Sequence, residues 1–280
     1  MSARARVGAM VLAVAGLHAV GWALFAGAAP GHPALAGLGA LAYTFGVRHG
    51  LDADHIAAID NTTRRLREDG RAPLSTGFFF SLGHASVVVV LSVAVAIAAG
   101  GVRDALPSLQ AAGGVVGPSV SGLFLWTAGA LNAVALVAAL RRLRSGEATG
   151  GVGGGVLVRA LGRLFGRVTE SWHMYPLGAL FGLGLDTATE VALLGLAAGA
   201  GQSAAPIAGI LSLPILFAAG MAAVDTLDGI AMSRAYAWAR ERPGRWALVD
   251  VTLTGASVLL ALGIGAIQLA GVVVDARASI

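Results

Sequence analysis

Neither cysteine nor lysine occurs in the 280 residues. Without cysteine there is no disulfide framework, no thiolate metal site and no cysteine nucleophile. Without lysine there is no Gly-Lys-Ser/Thr phosphate loop, hence no ATP held by one, and no Schiff-base chemistry. Charge is scarce too: 12% of residues are Asp, Glu, Lys or Arg, against about 25% in soluble domains. What fills the chain is apolar, 56% by count, in stretches of about 20 residues or more, long enough to cross a bilayer. The net charge of +4 does not point to nucleic acid, because the arginines gather in a few connections and the five tryptophans are scattered.

The apolar pattern predicts spans at 7–28, 34–60, 75–100, 116–140, 173–199, 205–232 and 246–270. This is an all-α integral membrane protein of seven transmembrane helices, one transmembrane domain over residues 1–280. Arginines crowd alternate connections: Arg4 and Arg6 before the first span, Arg64 to Arg71 after the second, Arg141 to Arg167 after the fourth, Arg234 to Arg245 after the sixth. The opposite side holds only Arg103 and Arg277. The positive-inside rule then puts the N-terminus in the cytoplasm of a multi-pass protein of the bacterial cytoplasmic membrane. An odd count leaves the C-terminus outside, and an eighth span would reverse it. The first span, with Ala26-Gly27-Ala28 near its end, has the outline of a signal peptide, but its apolar run of about 20 exceeds the usual 7–15. Residues 141–171 read as a cytoplasmic, basic, Gly-rich loop. Within it Arg159, Arg163 and Arg167 oppose Leu157, Leu161 and Leu164 on a short amphipathic helix at the inner surface.

Against this background one octet stands out: Arg48-His49-Gly50-Leu51-Asp52-Ala53-Asp54-His55, inside the second span. An ionised side chain at membrane depth costs about 2.5–3.5 kcal/mol by insertion scales, so such residues mark function. On an ideal helix Arg48, His49, Asp52 and His55 fall on one broad face and Asp54 on another. Bringing Asp54 to the histidines requires the helix to unwind near Gly50. The third span contributes His84, the fifth Asp186 and Glu190, the sixth Asp225 and Asp228. His18 is alone in the first span, where helix packing is the blander reading; Asp60 and Asn61 read as the end of the second. Phe45-Gly46 ahead of Gly50-Leu51-Asp52 is echoed by Phe181-Gly182 ahead of Gly184-Leu185-Asp186. The two spans are three apart in order and so cross in opposite directions, the pattern of an inverted three-plus-three repeat, here with an extra helix.

The acids of these spans outnumber Arg48, so protons or a visiting cation must balance them. Imidazole with carboxylate and no sulfur suits Ni²⁺, Co²⁺, Zn²⁺ or Mn²⁺. Copper(I) would want sulfur, and calcium or magnesium all-oxygen ligands. An imidazole must be neutral to ligate, so binding should weaken in acid.

At these residues the chain resembles the nickel/cobalt transporter (NiCoT) permeases. Their second-span signature, a His, four residues, then Asp-His, is met by His49, Asp54 and His55. Phe79-Phe80-Ser81-Leu82-Gly83-His84, Leu185-Asp186-Thr187-Ala188-Thr189-Glu190 and Gly220-Met221 with Asp225-Thr226-Leu227-Asp228 match three further family motifs. The resemblance implies a permease, not an enzyme, importing Ni²⁺ and/or Co²⁺ as substrate with no cofactor and no ATPase subunit. It implies eight spans rather than seven. It also implies that His49, Asp54, His55 and His84 ligate the ion, while His18, Arg48, Asp52, Asp186, Glu190, Asp225 and Asp228 line its path. An exporter of the same ions and an accessory subunit of a metal importer are the rivals. An intramembrane metalloprotease would need His-Glu-x-x-His, which is absent.

Overall fold

The computed structural model describes residues 2–97, 106–145, 168–184, 188–203, 205–240 and 243–278. Their α-helices are α1 (Ala3–Ala28), α2 (Leu38–Gly50), α3 (Ala53–Glu68), α4 (Thr76–Ile97), α5 (Leu106–Ser145), α6 (Met174–Gly182), α7 (Ala188–Gln202), α8 (Ile207–Arg240) and α9 (Pro243–Ala278). No strand occurs among the described residues. Among the described residues four helical segments, Ala3–Ala28, Thr76–Ala96, Ile207–Trp238 and Gly255–Val274, are long and apolar enough to cross a membrane. Leu12, Leu259 and Ile267 leave about three quarters of their surface uncovered. Large apolar side chains left open in this way suit a hydrocarbon solvent.

Local chemistry sets the boundaries. Ser2 caps α1, its hydroxyl accepting from the Ala5 N–H. Gly70, at φ 76°, ends α3 in a left-handed turn in which the Arg71 N–H returns to the Leu66 carbonyl. The expected second and fifth spans are each two helices. α2 stops at Gly50, and Asp52, extended at φ −66° and ψ 141°, starts α3. α6 stops at Gly182 and α7 begins at Ala188.

α3 also corrects the sequence reading. Asp60 and Asn61 do not end it; they are buried in its middle, and the helix runs on to Glu68. Arg64, Arg65 and Arg67, expected in a connection, lie in its last turns. Arg64 is 3% exposed and donates to Asn132 of α5, while Arg67 donates to the Ser233 carbonyl of α8 at 2.9 Å. The amphipathic stretch expected around Arg159, Arg163 and Arg167 lies outside the described residues.

α8 is the axis of the bundle, packed against α1, α2, α3 and α4. Glycines bring it into backbone contact with two of them. A Cβ on Gly46 of α2 would land on the Phe217 carbonyl, and one on Gly77 of α4 on the Asp225 carbonyl. Small residues at helix crossings are how apolar helices associate where lipid is as apolar as leucine. α5 and α9 pair with each other and lean on α3.

Gly46→Leu should push α2 off α8 at an overpacking cost of about 1–3 kcal/mol. Thermal unfolding in detergent should show a lower midpoint than the parent chain. An unchanged midpoint would mean the two backbones do not touch.

Candidate metal centre

Three imidazoles converge where α2 breaks into α3. His49 stands in the last turn of α2, His55 in the first turn of α3, and His84 comes across from α4. In an unbroken helix the six-residue step from 49 to 55 would separate two histidines by about 9 Å along the axis. The break folds this distance up, and the His49 and His55 rings stand 4.6 Å apart. His84 lies 4.7 Å from His49 and 4.9 Å from His55. One ring nitrogen from each lies within 4.8 Å of the other two. All three rings are at most 2% exposed. Phe80 meets the His55 ring edge to face at 4.8 Å, and Phe217 lies 5.3 Å from His49.

Carboxylates orient these rings. His55 Nδ1 faces Asp225 Oδ2 at 3.2 Å, and His49 Nδ1 faces Asp52 Oδ2 at 3.2 Å and Thr189 Oγ1 at 3.2 Å. A carboxylate can only accept, so an Nδ1 facing one carries the proton and Nε2 keeps its lone pair. His55 Nε2 is buried with no hydrogen-bond partner. His49 Nε2 lies 3.0 Å from His84 Nε2, which is also 2.7 Å from Glu190 Oε1. Two nitrogens at right angles around one ion, each about 2.1 Å from it, stand about 3.0 Å apart. By the same rule His84 Nε2, facing Glu190, carries its proton, which a cation would replace, while the Nε2 lone pairs of His49 and His55 lie open in a small volume beside two buried carboxylates, Glu190 and Asp225. Such a donor set takes a proton or a borderline divalent cation.

Helix ends help hold the anions. Asp54 lies in the first turn of α3 and Glu190 in the first turn of α7, where unpaired N–H groups favour negative charge. The carbonyl end of α2 supplies partial negative charge beside His49, which favours a cation.

The other predicted residues spread out from this centre. Asp54 is buried, but its Oδ1 accepts from the His55 N–H at 2.9 Å and its Oδ2 faces Gln268 Nε2 of α9 at 3.4 Å. Asp52 links His49 to Arg48, whose largely exposed guanidinium is 3.5 Å away. His18 stays on α1, bonded to the Val14 carbonyl and to Tyr43 Oη at 3.2 Å. Asp228 lies on α8 one turn beyond Asp225 and is half-buried. Asp186 lies outside the described residues.

Sequence reading missed a line of polar contacts on the face of α3 turned to α5 and α9. Asp60 accepts from Tyr236 Oη of α8 at 2.7 Å and from Ser257 of α9. Asn132 of α5 joins Asn61 to Arg64. Gln268 of α9 reaches Asp54. The signal was present: Asn132 and Gln268 are amides within apolar spans, and such residues seek partners inside the bundle.

A family model described as high-affinity nickel-transport protein matches residues 35–279. The nickel transporter NixA of Staphylococcus aureus is 46% identical over 268 residues, covering 92% of this chain and 79% of that protein. The nickel transporter NicT of Mycobacterium tuberculosis is 45% identical, covering 96% of this chain and 78% of that protein. The cobalt transport protein NhlF of Rhodococcus rhodochrous is 45% identical, covering 94% of this chain and 79% of that protein. No solved structure matches.

Asp225→Asn keeps the size of the side chain and removes the charge that fixes the His55 proton on Nδ1. Divalent-metal affinity of the purified chain, read by titration calorimetry, should fall about ten- to a hundredfold. Unaltered affinity would mean that Asp225 does not orient His55.

Proposed function

Because the chain belongs to the high-affinity nickel-transport family, we propose that it is a single-component permease carrying Ni²⁺ and/or Co²⁺ into the cytoplasm through the centre between α2, α3, α4, α7 and α8. It is a transport protein rather than an enzyme, and the ion is its substrate. The observation that carries the reading is the convergence of His49, His55 and His84, all within the residues that the family model matches. These three imidazoles bind the ion, with Asp54 beside them. Asp52 and Asp225 orient His49 and His55, and Glu190 balances charge. Asp186 and Asp228 line the approach, with Arg48 restraining Asp52.

Seven crossings accommodate this chemistry, with α2 and α3 sharing one and α6 and α7 sharing another. Broken helices at corresponding places in two halves are what an inverted repeat with a midplane site requires, and the two interrupted spans support that arrangement. The arginine asymmetry supports a cytoplasmic N-terminus in the cytoplasmic membrane and a cytoplasmic 141–171 connection. No nucleotide loop is available to the chain, so the membrane potential is the proposed drive. A dication gains about 4.6 kcal/mol per 100 mV, enough for more than about a thousandfold accumulation.

Radiolabelled nickel and cobalt uptake should be lost in cells expressing His55→Ala and present with the parent chain. Parent-like uptake by that variant sinks the site. A fall in cellular metal on expression of the parent would instead identify an exporter. The purified chain in liposomes should transport alone, which an accessory subunit would not. Acidifying the medium should lower uptake, because an imidazolium has no lone pair for the metal; uptake that rises in acid would argue against neutral histidine ligands.

A further inference from the structure

We propose that Gln268, on the last described helix and outside the four motifs named above, is a positioning residue that holds the Asp54 carboxylate aside from the three histidines. Letting go of it would allow Asp54 to join the ion's ligands. The inference rests on the metal-binding reading above and deepens it.

The polarity of the contact has one solution. The Asp54 carboxylate can only accept, so the Gln268 amide must present its NH₂ to Oδ2, at 3.4 Å. The amide carbonyl then faces the other way, where it accepts from the Ser121 hydroxyl of α5 at 2.8 Å. Ser121 thereby fixes which end of the amide Asp54 sees. The other oxygen of Asp54 is taken by the His55 N–H. The carboxylate is therefore engaged on both oxygens and away from the imidazoles.

The restraint has a stiff backing. On α3, Asp54, Ala57, Asn61 and Arg64 follow one stripe at helical spacing. Asp54 meets Gln268 of α9, Ala57 packs with Leu125 of α5 and Ala261 of α9, and Asn61 and Arg64 meet Asn132 of α5. The α5–α9 pair thus grips α3 along its length, with Gln268 as the topmost contact, beside the break. At 3.4 Å that contact is also long for an N–H···O bond, so it yields more easily than the ones below it. Asp54 is adjacent to His55 in the chain, in the first turn of α3 beside the break. A carboxylate added to three neutral imidazoles contributes a ligand and a negative charge. Binding tightens and release slows.

The test is nickel uptake kinetics per amount of membrane-inserted chain, for Gln268→Ala, Ser121→Ala, Asp54→Asn and the Gln268→Ala/Asp54→Asn pair. Gln268→Ala should lower KM about tenfold and lower the maximal rate with it. Ser121→Ala should shift both the same way by less, since the amide stays but is no longer oriented. In the Asp54→Asn background, Gln268→Ala should leave KM where Asp54→Asn alone puts it. A merely structural role lowers the maximal rate with no fall in KM, and that result overturns the proposal. So does an equal KM shift with or without the Asp54 carboxylate. If Gln268→Ala does not reach the membrane, Ser121→Ala decides by the same criterion. His55→Ala separates the two levels. If it transports like the parent, the site itself is wrong. If it is inactive while Gln268→Ala keeps its KM, only the holding role fails.

Discussion

Leu51 and Asp52 interrupt the helical backbone for two residues, and where the imidazoles stand depends on that interruption. A continuous helix would set His49 and His55 most of two turns apart, and His84 could reach only one of them. The interruption shortens the interval and aims both rings at α4. It also brings a carbonyl end and an N–H end of helix to one spot. The N–H ends of α3 and α7 lie beside Asp54 and Glu190, so both carboxylates are supported as anions by backbone.

The neighbours keep this geometry from collapsing. α8 approaches α2 and α4 so closely that only glycine fits at Gly46 and Gly77. The same helix places Asp225 against His55 and Phe217 against His49. One element therefore sets the distance between two of the histidine-bearing helices and orients the ring of the third. Each ring has its position fixed by packing and its proton by a carboxylate. That degree of order is what a metal-binding cluster requires of its ligands.

Much of the centre was legible in the sequence, for an energetic reason. His49, Asp54, His55, His84, Glu190 and Asp225 are expensive in apolar spans, and each turned out buried. The need for unwinding near Gly50 followed from the helical angle of Asp54, and the backbone does break there. The same angle did not reveal which way Asp54 would turn, because that depends on Gln268, 214 positions along the chain. The ends of α3 were misjudged because arginines were taken to mean water. Asn132 and Ser233 supply enough acceptors to draw Arg64 and Arg67 inward, and a buried guanidinium so satisfied no longer marks a loop. Long-range partners of this kind have no local periodicity.

The two sides of the α2–α3 unit are joined to the bundle by different materials. α2 meets α8 backbone to backbone, through a glycine and apolar side chains. α3 meets α5 and α9 through an amide, carboxylates, a hydroxyl and a guanidinium. Parting the first contact opens apolar surface, to which water offers no bonds. Parting the second exposes groups to which water bonds nearly as well as their protein partners do. Hydration is therefore cheap along the α3 flank of the α2–α3 unit and expensive along its α2 flank.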